Sequence, residues 1–120
     1  MQLRPIWMFL LLTFFIIMLA LGAIPGTADA LSYRFGDKLL HLLAYGFMSV
    51  LCFQALHGRR LTQSLVSVLI IALLGLIDEW VQSLLPYRNA SLLDWCFDIA
   101  AAIAVIILMN LFVPVKSKIS

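Results

Sequence analysis

Charge is scarce in this chain: of 120 residues only 8 are Lys or Arg and 6 are Asp or Glu. That scarcity excludes a large solvated surface, and a net charge of +2 excludes the concentrated basic footprint of a nucleic-acid binder. No DNA or RNA partner is expected. Cysteine is limited to Cys52 and Cys96 with no CxxC pair, which argues against a zinc or redox centre built on sulfur. Both sit in apolar segments at different depths, so they are expected to be unbridged buried thiols packing as small hydrophobes. Internal repeats, low-complexity tracts and linkers are lacking too. So are the HExxH, GxSxG and P-loop patterns that would name a chemistry.

What is there is apolar. Hydrophobic residues make up 64% of the chain and the mean hydropathy is +1.09, outside the range of a soluble globular domain. A hydrocarbon core of roughly 30 Å takes about 20 apolar residues per helix, so this length holds about four spans. The expected fold is all-α: a single-domain integral membrane bundle over residues 1–120, with four transmembrane helices at about 6–24, 37–56, 62–85 and 92–113.

The first run, from Ile6, follows Arg4 and Pro5 and closes at Gly22 and Pro25. A secretory signal peptide is its rival, because Ala28, Asp29 and Ala30 form an A-x-A site, but the run exceeds the roughly 7 to 15 residues of a signal core. Glycine, proline and serine mark 25–36 as a loop. His57, Gly58, Arg59 and Arg60 form a short basic turn, Pro86 stops the third span, and Pro114 ends the fourth.

With four spans, the N-terminus, the turn between spans two and three, and the C-terminus share a side, which carries Arg4, Arg59, Arg60, Lys116 and Lys118. The other side receives every acidic residue, Asp29, Asp37, Asp78, Glu79, Asp94 and Asp98, together with Arg34, Lys38 and Arg88. The positive-inside rule then places both termini in the cytoplasm. Trp80, Tyr87 and Trp95 suit an aromatic belt at the outer interface, and Trp7 one at the inner. Loss of the first span to cleavage would leave this orientation unchanged.

Helical spacing gathers the polar residues. Asp37, His41 and Tyr45 recur every four positions and line one face of the second helix; Asp78 and Gln82 do so on the third, with Glu79 beside Asp78; Asp94 and Asp98 follow on the fourth. All three sets fall in the outer part of the membrane. A carboxylate at mid-helix in lipid costs roughly 2.5 to 3.5 kcal/mol, so such groups face inward, pair or titrate. Arg88, Lys38 and Arg34 are the cations available to pair with Asp78, Glu79 or Asp94.

At these residues the chain resembles the VanZ-like family, small membrane proteins related to a teicoplanin-resistance protein. The matching motifs are Asp37-Lys38-x-x-His41-x-x-x-Tyr45, Asp78-Glu79-x-x-Gln82, and Arg88 followed by Ser91 and Asp94, within residues 37–101. The family pattern often ends in Asn or Asp and then Gly, whereas Asp98 is followed here by Ala101 and Ala102; the close packing that glycine allows is not carried over. The resemblance implies a multi-pass cell-envelope protein of the bacterial cytoplasmic (inner) membrane, linked in some members to glycopeptide tolerance, with undefined biochemical activity.

Three functions fit the pattern. In the first, Asp37, Lys38, His41, Tyr45, Asp78, Glu79, Gln82, Arg88, Asp94 and Asp98 line an outer-leaflet pocket for the head of an envelope lipid or lipid-linked cell-wall intermediate. Arg88 and Lys38 would meet phosphate there, and the carboxylates would accept from hydroxyl or amine groups. In the second, the chain is a membrane hydrolase or transferase, with Asp78 or Glu79 as general base and His41 as acid or metal ligand. His41, Asp78 and Glu79 would then be the candidate ligands of a divalent metal. In the third, ion pairs fix helix register and the chain is a structural or partner-binding subunit.

Simpler roles stand beside these. His41 can hydrogen-bond Asp37 or another helix, Tyr45 can be packed with its hydroxyl satisfied, and Gln82 can bond between helices. Asp94 and Asp98 can serve the helix dipole, His57 can sit at the interface, and Arg59 and Arg60 read as topology determinants.

Overall fold

The computed structural model describes residues 1–24, 37–86 and 91–113, with Asp37 and Lys38 through their backbone only. It is all-helical: α1 (Pro5–Ala23), α2 (Asp37–Ala55), α3 (Arg60–Leu84) and α4 (Leu92–Phe112). Pro5 opens α1, where its fixed φ suits the first turn and its missing N–H leaves no bond unmade. Three helices stop at a residue that precedes proline. Ile24, Leu85 and Val113 are all extended, with ψ of 121°, 122° and 119°, because the following ring disfavours the helical region. The helix ends therefore lie within two residues of those read from hydropathy.

Two short strands accompany the helices. Gln2–Leu3 (β1) pairs antiparallel with Leu56–His57 (β2), Gln2 opposite His57 and Leu3 opposite Leu56. Hydropathy placed Leu56 in the second span and His57 in the basic turn; two residues are too few to carry a period-2 signal. The ladder and the Arg4 N–H donated to the Ala55 carbonyl at 2.7 Å tie the segment before α1 to the α2–α3 turn.

The middle position belongs to α2, which packs against α1, α3 and α4, while α3 also packs along α4. The core draws Leu11 and Phe15 from α1, Tyr45, Met48 and Cys52 from α2, Ile71 and Leu74 from α3, and Ala101 and Ala102 from α4. The outside is as apolar as the inside: Phe9, Leu43, Leu65 and Leu108 are all exposed, whereas His41, Asp78, Glu79, Gln82, Asp94 and Asp98 are buried. That is the reverse of a water-soluble bundle, and it suits a hydrocarbon solvent. Among the described residues, α1, α3 and α4 are long and apolar enough to cross a membrane, and α2 offers a shorter apolar stretch, Leu39–Ala55.

Cys52 is buried, but Cys96 is exposed, contrary to expectation, and both thiols are free. The buried stripe of α4 runs through Asp94, Asp98, Ala101 and Ala102, and at about 100° per residue Cys96 falls on the opposite side. Trp95 likewise is partly buried, its indole N–H donated to the Ala72 carbonyl of α3 at 2.9 Å.

Candidate functional site

Three helices bring their polar residues to one end of the bundle. From α2, His41 and Tyr45 lie one turn apart with rings stacked, centroids 5.9 Å apart and planes 6° from parallel. From α3 come Asp78, Glu79 and Gln82, and from α4 Asp94 and Asp98, every one buried. The three sets do meet in space.

Their pairing follows two lines. Tyr45 donates its hydroxyl to Asp78 Oδ2 at 2.9 Å, and Gln82 donates Nε2 to Asp78 Oδ1 at 3.1 Å. Both oxygens of Asp78 are thus engaged. Gln82 bonds within its own helix, one turn from Asp78, rather than between helices. On the other line, His41 Nδ1 lies 2.6 Å from Asp98 Oδ1 and His41 Nε2 lies 3.8 Å from Asp94 Oδ2. His41 thereby bonds to α4. Glu79 Oε2 accepts the Ser91 backbone N–H at 2.7 Å, holding the start of α4 against the end of α3.

Two carboxylate oxygens are left over. Glu79 Oε1 and Asp98 Oδ2 are buried with no hydrogen-bond partner among the described residues. A buried acceptor left unpaired is destabilising, so such atoms mark positions where a donor or cation belongs. Ligand atoms of His41, Glu79 and Asp98 all lie within 4.8 Å of one another, a grouping able to hold a metal ion. Sequence reading grouped His41 with Asp78 and Glu79; the ligand atoms that lie together are those of His41, Glu79 and Asp98, while both oxygens of Asp78 accept from Tyr45 and Gln82.

Gly75 is the residue that spacing overlooked. A Cβ there would come 3.0 Å from Asp98 Oδ2 and 3.1 Å from Trp95 Cδ1, so the approach of α3 and α4 leaves a side chain little room at this point. Its position one turn before Asp78 on the same face was the available signal. Small residues do carry close packing here, with Gly75 on α3 facing the Asp98 turn of α4.

Along the α3–α4 face runs an open, largely apolar groove of about 980 Å³ that reaches from Trp95 and Leu76 past Leu69 and Ile103 to Arg60 and Asn110 at the basic end. Arg88, Arg34, Tyr87, Lys116 and Lys118 lie outside the described residues, as do the side chains of Asp37 and Lys38. The opposite end holds the described arginines. Arg60 Nη2 donates to the Val113 carbonyl at 3.1 Å, and Arg4 Nη2 lies 3.2 Å from His57 Nδ1.

No family model matches the chain. It is similar to an uncharacterized protein of Schizosaccharomyces pombe, 34% identical over 86 residues that cover 69% of this chain and 52% of the other. The chain spans about half the length of that curated relative. No solved structure matches. The relative is eukaryotic, which overturns the expected bacterial cytoplasmic membrane. Charge placement orients a helix relative to whichever bilayer holds it and carries no information about the organism.

Proposed function

We propose that the chain is a multi-pass membrane protein whose buried polar cluster receives the head group of a membrane lipid while the α3–α4 groove takes an acyl chain. The observation that carries this reading is adjacency. Trp95 lines the chain-sized apolar groove and stands next in sequence to Asp94, a member of the buried polar cluster. The groove's volume lies in the range of small-molecule sites. Hydroxyl or amine groups of the head would donate to Glu79 and Asp98, and Arg88 and Lys38 are assigned to phosphate on sequence grounds. The basic end, with Arg4, Arg59 and Arg60, is assigned to the cytoplasmic side together with both termini. The VanZ-like resemblance belongs to this proposal, supported by the convergence of His41, Tyr45, Asp78, Glu79, Gln82 and Asp94 from its motifs. Its cell-wall and glycopeptide associations came with the bacterial setting and are not carried forward.

Native mass spectrometry of the chain released from lipid nanodiscs tests the reading. Wild type should retain a specific lipid, Leu73→Trp should lose it by filling the groove, and Arg88→Ala should lose it at the head. Equal retention in both variants would leave only bulk lipid and remove the proposal.

A second reading is favoured by one distance. The 2.6 Å contact orients His41 through Asp98 as in an acid–base pair, the arrangement a membrane hydrolase or transferase needs. Its distinguishing outcome is turnover of the retained lipid that vanishes in Asp98→Asn and Glu79→Gln.

A further inference from the structure

We infer that His41, Glu79 and Asp98 form a binding site for a first-row divalent cation such as Zn²⁺ or Mn²⁺, held between α2, α3 and α4.

The geometry is close to what an ion requires. With ligand atoms no more than 4.8 Å apart, the centre of the triangle lies within about 2.8 Å of each, against the roughly 2.0 to 2.2 Å of nitrogen and oxygen bonds to zinc. Movements of at most about 0.6 to 0.8 Å in each of three side chains close the difference.

The vacant lone pairs point the same way. Glu79 Oε1 and Asp98 Oδ2 belong to residues 6% and 0% exposed and have no hydrogen-bond partner among the described residues. Asp78, whose oxygens are both engaged, supplies the internal contrast: in the same pocket the chain satisfies one carboxylate fully and leaves two with an open oxygen.

Ligand type selects the ion. One imidazole with two carboxylates is a mixed nitrogen and oxygen set, which suits zinc or manganese better than the all-oxygen shells of calcium and magnesium. Loading exchanges the His41–Asp98 hydrogen bond for bonds from both residues to one ion. The imidazole proton then resides on Nε2, which lies 3.8 Å from Asp94 Oδ2, a neighbouring carboxylate whose charge favours that proton there.

The ion site does not depend on the lipid proposal, although a bound cation would give a head-group phosphate a positive centre to meet. Its test therefore uses the full chain purified in detergent without added lipid. After stripping with chelator and dialysis against Zn²⁺ or Mn²⁺, elemental analysis should find one ion per chain. Affinity should fall about tenfold or more in His41→Ala, Glu79→Gln and Asp98→Asn, and should persist in Asp78→Asn and in the Cys52→Ala, Cys96→Ala double variant. X-ray absorption of the loaded wild type should show one imidazole and otherwise oxygen neighbours, a readout independent of whether the variants fold. Substoichiometric metal, a sulfur-containing shell, or full binding in the three ligand variants would each overturn the assignment.

Discussion

The two ends of the bundle solve the burial of polar groups in opposite ways. At the basic end, side chains mostly meet backbone: Arg60 donates to the Val113 carbonyl and packs its guanidinium over Phe53 at 5.2 Å, and Gln63 donates to the Phe53 carbonyl at 2.7 Å. Cations and donors there cap the C-terminal carbonyls of α2 and α4, where the helix dipole favours them. At the acidic end, side chains meet side chains across three helices, all buried, and two oxygens are left open. The first end closes the fold with part-exposed bonds that cap the ends of neighbouring helices. The second holds more polarity than the fold can satisfy, and this is where a ligand is to be sought.

The largest test of this contrast is Gly75→Leu. Overpacking the closest approach of α3 and α4 should lower the unfolding free energy by about 2 to 3 kcal/mol in detergent. A loss under about 0.5 kcal/mol, within the usual range for surface sites, would mean that the acidic end is loosely packed. Next is Tyr45→Phe, which takes the donor from Asp78 Oδ2 and should cost about 1 to 2 kcal/mol, measured by reversible denaturation. Arg60→Met at the basic end should cost less than about 1 kcal/mol, because its partly exposed carbonyl partners can turn to water or head groups. A reversed order would break the comparison. The smallest effect concerns coupling. Residues 60 and 78 are separated by about 27 Å of helix, so the Tyr45→Phe, Arg60→Met double variant should be additive within about 0.5 kcal/mol.

Helix number and limits were legible because runs of apolar residues fix length, and Pro25, Pro86 and Pro114 follow the ends of α1, α3 and α4. That His41, Asp78 and Asp98 converge was legible from spacing by four. Which of them pair was not. Spacing gives the face of each helix but not the rotation and approach of its neighbours, and these direct Tyr45 to Asp78, His41 to Asp98 and Gln82 back onto its own helix. Cys96 shows the same limit: apolar surroundings in the sequence do not say which side of α4 faces the core. The β1–β2 ladder was beyond reach because its two halves are short and far apart in sequence.

That ladder also bears on the order of assembly. Gln2 can pair only after His57, more than fifty positions later, has been synthesised, so the segment ahead of α1 stays unclasped while α2 is being made. Seating of α1 against α2 is then sealed late, by the emergence of the α2–α3 turn. A bulky fusion placed before Gln2 would slow maturation of the whole bundle rather than loosen one helix.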